Sequence, residues 1–388
     1  MRKPAKLQST YSMRFAWSEV GPGPAADEFE VSVFGPGFGE CIVVHVGSGE
    51  WLIIDSCVDT TDRDDPRPVA ERYLRAIGVT LETQVKFIVA SHWHDDHVRG
   101  LARLVEVCRV ARFSCANALL QKEFFTYVGS LSTGTVATDG AKVKEFRQVL
   151  AILKAGTNRP PIRFATGSKE LIAWHKPLGA SVRLRSLSPS DHEFALFLQR
   201  MQSEMPIHGQ PNRSAARSTP NLASVVLHLD LGDGSVLFGA DMEIHHDTRR
   251  GWTAVLGDAA TCNASASSLF KVAHHGSSTG HHEQVWSTML LANPICVVTP
   301  FNRLPLGRKL PTKDDVVRIR SFGRLFLTSQ IEGAGRSRVR DAAVVRSLKE
   351  NGIALREMRS PIGLVRMRRT IASGTVWQPE TFGPATEI

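Results

Sequence analysis

The stretch Val85-Lys86-Phe87-Ile88-Val89-Ala90-Ser91-His92-Trp93-His94-Asp95-Asp96-His97 decides how the rest of the chain is read. An apolar run of strand length and composition ends at Ala90. Three imidazoles and two carboxylates then crowd into residues 92–97. Side chains delivered at a rigid strand end can converge on divalent cations, and H-x-H-x-D-H is far more specific than a lone H-x-H. The competing reading, a polar loop of internally satisfied histidines, does not account for that density of ligand-type groups.

Outward from this stretch, strand-like and helix-like segments alternate. Residues 1–24 read as an irregular segment, with Gly21-Pro22-Gly23-Pro24 discouraging regular structure. Residues 28–34 alternate like a strand, Gly37-Phe38-Gly39-Glu40 interrupts, and 41–46 and 51–55 read as further strands. Asp55 ends the last of these, where its carboxylate could orient a ligand histidine or bond a turn. Helices are expected at 67–77, 98–107, 118–128, 139–154, 191–202, 312–321 and 341–350. Strands are expected at 110–114, 181–187, 223–230, 235–239, 295–299, 324–327 and 362–368. Residues 210–220 read as a positively charged loop, and Asn158-Arg159-Pro160-Pro161 breaks the helix before it.

Two later segments repeat the strand-then-ligand design. Asp241 follows the run at 235–239, and His274 and His275 follow Leu269-Phe270-Lys271-Val272-Ala273. Imidazole nitrogens with carboxylate oxygens suit Zn²⁺ or Mn²⁺, and a pair of such ions favours hydrolysis of a phosphoryl or acyl bond. The alternation of strands and helices predicts an α/β sandwich rather than an all-β domain.

Composition narrows the classes. The 388 residues carry 47 Lys and Arg against 38 Asp and Glu, a net charge of +9, which favours polyanionic partners or simply solubility. Residues 308–369 hold 16 basic against 6 acidic side chains, so a phosphate-attracting face is expected if folding gathers them. No run approaches the roughly 18–20 apolar residues that span a bilayer, so no membrane insertion and a cytoplasmic location are expected. Cys41, Cys57, Cys108, Cys115, Cys262 and Cys296 lack any C-x-x-C spacing and read as reduced core residues.

The segments Leu52-Ile53-Ile54-Asp55, Ser91-His92-Trp93-His94-Asp95-Asp96-His97, Gly239-Ala240-Asp241 and Lys271-Val272-Ala273-His274-His275-Gly276-Ser277 resemble those of the metallo-β-lactamase superfamily. Within it the chain looks most like the hydrolase domain of ComEC-type competence proteins, through Asn221-Leu222-Ala223-Ser224-Val225 and the late His-His-Gly-Ser segment. The resemblance spans about residues 28–330. It implies an αββα sandwich with insertions and a C-terminal extension. The expected division is a catalytic domain at 25–330 with a variable insertion near 140–220, and a basic extension at 331–388 packed on the same domain.

The resemblance also implies roles. His92 and His94 would hold a first divalent ion, Asp96 and His97 a second, Asp241 would bridge them, and His275 or His274 would complete the set. His275 is favoured because it precedes the sharp Gly276 turn. Asp96 would help orient and deprotonate a water, Asn221 would donate a hydrogen bond in the site, and Lys271 would hold a phosphate or face solvent. Asp95 would contribute less directly. One departure stands out: between His97 and Asp241 there is no Gly-His or His-Thr ligand segment. His175, His192, His208 and His228 sit in uncharacteristic surroundings, so Asn221, water or another histidine would complete the first ion, or that ion would bind weakly. The expected function is metal-dependent phosphodiester hydrolysis of DNA or another nucleic acid, with a partner protein choosing the target. The alternatives are a small-molecule ester, lactone or cyclic-phosphodiester hydrolase, and a non-catalytic nucleic-acid-binding or assembly module.

Overall fold

Strands buried on both faces build two facing sheets, as expected where each sheet is covered by its partner on one side and by helices on the other. A computed structural model describes residues 16–61, 65–120, 124, 140–156, 158–175, 181–203, 220–258, 261, 263–302, 309–331, 361–371 and 376–388. The first sheet contains β1 (Glu28–Gly35), β2 (Cys41–His45), β3 (Trp51–Ile54), β6 (Val85–Ala90), β7 (Arg112–Ala116), β8 (Arg163–Ala165), β16 (Gly363–Thr370) and β17 (Gln378–Phe382). Their order is β17-β16-β1-β2-β3-β6-β7-β8. The second contains β9 (Lys169–His175), β10 (Ser181–Ser186), β11 (Leu227–Asp230), β12 (Ser235–Phe238), β13 (Ser267–Lys271), β14 (Leu290–Val298), β15 (Arg324–Leu327) and β18 (Thr386–Glu387), in the order β18-β15-β14-β13-β12-β11-β10-β9. A short ladder pairs β4 (Val58–Asp59) with β5 (Arg67–Pro68).

Alternate residues of the second sheet feed two cores. Val236, Phe238, Leu269, Val297 and Phe326 pack into the space shared with the first sheet. Leu237, Phe270, Cys296 and Leu325 face the other way, against Trp252 and Val255 of α7 (Gly251–Leu256) and Ile319 of α8 (Lys313–Arg320). On the first sheet, Glu30 and Ser32 of β1 bond the Tyr73 hydroxyl of α1 (Val69–Ala76), at 2.5 and 3.4 Å. Helices therefore cover the outer face of each sheet, giving αββα layers. By the same parity Lys271 shares the inward side of β13 with Leu269.

Several sequence expectations shift by a few residues. The helix expected at 98–107 is interrupted: a single turn, α3 (Asp95–Val98), is separated from α4 (Leu101–Val107) by Gly100 at φ 81°. A Cβ there would meet Val58 Cγ2 at 2.9 Å, so glycine answers both the conformation and the space. The α1 helix starts at Val69 because Arg67 and Pro68 pair with β4. The expected strand at 223–230 begins only at Leu227: Ala223 ends a short 3₁₀ turn at Pro220–Ala223, and 224–226 link the two without regular structure. The helices α5 (Gly140–Ala155) and α6 (Asp191–Ser203) lie where expected. The helix expected at 341–350, His208, Cys262 and the charged loop at 210–219 fall outside the described residues, as does most of 118–128.

The described part of the C-terminal extension enters both sheets. β16 pairs with β1 from Glu28↔Thr370 to Gly35↔Gly363, and β18 pairs with β15. Its arginines turn inward: Arg366 bonds Glu380, Arg368 bonds Glu30, and Arg369 bonds Asp233 at 2.6 Å. Arg324 on β15 bonds Glu387. These four cations are engaged with carboxylates of the chain itself. No helix among the described residues is long and apolar enough to cross a membrane.

Candidate metal centre

The parallel strands β3, β6, β12, β13 and β14 all end at one edge of the sandwich, and each is followed by a polar residue of the centre. Asp55 follows β3, His92 to His97 follow β6, Asp241 follows β12, His274 and His275 follow β13, and Thr299 follows β14. The turns are tight. Asp55, Ala240, His274 and His275 all adopt positive φ, between 44° and 59°. A Cβ on Gly239 would sit 2.8–2.9 Å from Ala273, so only glycine lets these two strand ends close up. His274 N then bonds Ala240 O at 2.9 Å, and Val225 N bonds Ser91 O at 2.9 Å across the sheets.

Two triads result. His92, His94 and Asp241 form one, Asp96, His97 and His275 the other, with the ligand atoms of each within 4.8 Å of one another. His92 Nε2 lies 3.0 Å from His94 Nδ1 and 3.5 Å from Asp241 Oδ2. His275 Nε2 lies 3.2 Å from Asp96 Oδ2, and His97 Nε2 lies 3.6 Å from the same oxygen. Asp241 reaches both: its Oδ1 is 3.6 Å from His97 Nε2 and its Oδ2 is 3.7 Å from His275 Nε2.

Hydrogen bonds behind the triads fix which nitrogens face inward. Asp55 accepts from Ser91 N at 2.7 Å, Ser91 Oγ at 2.6 Å and His97 Nδ1 at 2.7 Å. With its hydroxyl proton given to Asp55, Ser91 Oγ accepts from His92 Nδ1 at 3.0 Å. His275 Nδ1 donates to Thr299 O at 2.9 Å. Each of these three rings therefore turns Nε2 toward the centre.

The electrostatics suit cations. Burial opposes ionisation of Asp241, yet His275, His97 and His92 hold its carboxyl well below the usual range. Asp96 is likewise held low against burial, by His97 and His275. Burial would lower His97, but Asp241, Asp96 and Asp55 together raise it to about 10. Burial and then His92 push His94 down to about 3. Buried His97 Nε2 and Asp241 Oδ1 have no hydrogen-bond partner among the described residues. Unpartnered buried polar atoms carry a desolvation cost, and divalent cations are the ligands that nitrogen and carboxylate donors of this kind accept.

The sequence-derived candidates separate by position. His92, His94, Asp96, His97, Asp241 and His275 converge. His274 turns aside, its Nδ1 2.9 Å from Thr279 Oγ1 and 3.1 Å from Glu243 Oε1. Asn221 joins that group, its side chain also bonding Glu243, while its Oδ1 is buried without a partner. Asp95 stands on the rim, 4.0 Å from Arg99. Lys271 does not face solvent: at 1% exposure it is ion-paired with Glu40. His192 pairs with Asp247, and His228 bonds Ser265 O, both remote from the triads. Sequence reading did not single out Ser91, Thr299, Glu243 or Glu40. The last was visible only as an acid within the Gly37-Phe38-Gly39-Glu40 interruption.

Comparison with known proteins fits this layout. The family model described as the metallo-β-lactamase superfamily matches residues 34–157. Similar solved structures include the metallo-β-lactamase fold protein YhfI from Bacillus subtilis, 11% identical over 78% of this chain and 96% of that one, with a TM-score of 0.39. A metallo-β-lactamase with the HARLDQ motif from Cronobacter sakazakii is 15% identical over 66% and 80%, with a TM-score of 0.34. Zn²⁺-bound PqqB from Methylobacterium extorquens is 12% identical over 54% and 55%, with a TM-score of 0.27. No curated protein sequence matches the chain. The family match and the layered sheets together make the architecture a metallo-β-lactamase fold, enlarged by extra strands and helices and by C-terminal strands.

Proposed function

With the metallo-β-lactamase fold as premise, we propose that the chain is a metal-dependent hydrolase of phosphodiesters in DNA or another nucleic acid. The observation that carries the reading is the pair of triads meeting at Asp241. His92, His94 and Asp241 would hold one divalent ion, Zn²⁺ or Mn²⁺, and Asp96, His97 and His275 the other, with Asp241 between them. A pair of such ions supplies Lewis acidity to a phosphoryl or carbonyl oxygen and lowers the pKa of an adjacent water.

The chain's own groups do the rest. Asp96 would help hold the second ion beside His97 and His275 and would orient a water there, its ionised carboxylate accepting a hydrogen bond from that water. Asn221 and His274, tied together through Glu243, would offer hydrogen bonds to a substrate oxygen. The net charge of +9 favours a polyanion. The finer resemblance to ComEC-type domains rests on the Asn221 and His274 segments, and a partner protein would choose the target.

One observation favours a second reading, hydrolysis of a small ester, lactone or cyclic phosphodiester. Arg366, Arg368 and Arg369 are largely buried and engaged with carboxylates of the chain itself, which removes them from a phosphate-tracking face. The test is cleavage of labelled single-stranded and double-stranded DNA by metal-free protein replenished with Mn²⁺, Zn²⁺ or Mg²⁺, beside His94→Ala and a panel of small esters. Metal-dependent cuts lost in the variant support the nuclease. Ester turnover without cuts selects the second reading, and neither activity leaves a binding or assembly module.

A further inference from the structure

Glu40 and Lys271 form a fully buried ion pair between the two sheets, each 1% exposed. Such a pair carries a large desolvation cost and is weak evidence for stability, so its position calls for another explanation. Glu40 touches the second triad from several directions. Its backbone N–H donates to Asp96 O at 2.8 Å. Its carboxylate lies within 4.8 Å of the Asp55 and His97 ligand atoms and accepts the Thr299 hydroxyl. Thr299 O in turn accepts from His275 Nδ1, and Thr299 Oγ1 lies 3.5 Å from that nitrogen. Its backbone approach is equally constrained: Gly39, at φ 121°, passes so near Cys57 that a Cβ would stand 2.7 Å from Cys57 Cβ.

We infer that the Glu40–Lys271 pair is a positioning device for the second metal site, acting on His275 through Thr299 and on the Asp96 segment through the Glu40 backbone. Lys271 lies on the inward side of β13, four residues before His275, and its ammonium neutralises a carboxylate that would otherwise stand beside Asp55. Glu40, so held, fixes Thr299, and Thr299 keeps the His275 proton on Nδ1 and its Nε2 toward Asp96. Neither residue of the pair belongs to the two triads, and the pair acts through Thr299 and the Asp96 segment. The inference rests on the reading that the triads bind metal.

Titration of metal-free protein with Co²⁺, followed by d–d absorption and equilibrium dialysis, tests it. Wild type should take two ions. Thr299→Val, which keeps volume and both charges, should weaken one of the two sites about 10–100-fold and leave the other within about threefold. Glu40→Leu/Lys271→Met, which removes the pair without leaving a lone charge, should do the same, and Lys271→Arg alone should retain both ions. Two tight ions in folded Thr299→Val, or equal weakening at both sites, would overturn the inference. Should the double variant not fold, Thr299→Val decides. No uptake by wild type would instead remove the metal reading itself.

Discussion

Replacing Asp55 by asparagine should uncouple metal binding from folding. Asparagine has the same shape and tolerates the left-handed φ of 59° at this position, so the turn should survive. It offers one acceptor oxygen where the carboxylate offers two. With that oxygen kept on Ser91 N, the amide NH₂ faces Ser91 Oγ and His97 Nδ1. His97 must then accept at Nδ1 and carry its proton on Nε2, the atom aimed at Asp96 and Asp241. With the amide flipped, its NH₂ opposes the buried Ser91 N–H, at a cost of about 1–3 kcal/mol. Either arrangement should reduce affinity at the Asp96, His97 and His275 triad about 10–100-fold, or about 1.4–2.8 kcal/mol. The assay is competition for Zn²⁺ against a chromophoric chelator, with circular dichroism melting as the control for folding. Folded Asp55→Asn that binds two ions within about threefold of wild type would refute the tautomer argument.

Gly239→Ala should force its new methyl against the Ala273 Cβ at 2.8 Å and its backbone at 2.9 Å, costing about 1–3 kcal/mol in urea unfolding and displacing Asp241 enough to lose metal. Full metal content in a folded variant would contradict the close approach. Removing metal should lower the melting temperature: each ion at about 100 times its Kd adds about 2.7 kcal/mol, so two add about 5.4 kcal/mol, or about 7 °C for a chain of this size, and a chelator-independent melt would count against binding. Burial lowers the pKa of His228, only partly offset by its bond to Ser265 O. The unfolded chain then takes up the proton first, so the contribution of His228 is complete above about pH 6.5 and is lost as pH falls toward the folded value. The difference in urea stability between wild type and His228→Gln should therefore change below pH 6.5, by up to about 1.4 kcal/mol per unit, and a pH-independent difference would refute it.

Much of the centre was legible because its residues follow apolar strands immediately. His92, His94, Asp96 and His97 come directly after Ala90, Asp241 three residues after Phe238, and His275 four after Lys271. Alternation marked β1, and short apolar runs bounded by turn residues marked β2, β3 and β12, near their observed bounds. Edge strands were not marked: β8 is three residues long, and β17 contains Pro379, which cannot donate to a ladder. Gly100 was available in the sequence, but nothing local distinguished a tolerated helix glycine from one at φ 81°. The Glu40 pairing was invisible for a different reason, since Thr299 and Glu40 are 259 residues apart. Charge counts over the basic stretch at 308–369 likewise do not reveal that three of its described cations, Arg366, Arg368 and Arg369, meet Glu380, Glu30 and Asp233.

Anomalous diffraction from crystals of the protein grown with Zn²⁺ or Mn²⁺ tests the central claim most directly. The account predicts two anomalous peaks flanking the Asp241 carboxylate, one on His92 and His94 and one on Asp96, His97 and His275. No peak there in protein that is otherwise well ordered, or a single ion held by other residues, would contradict it.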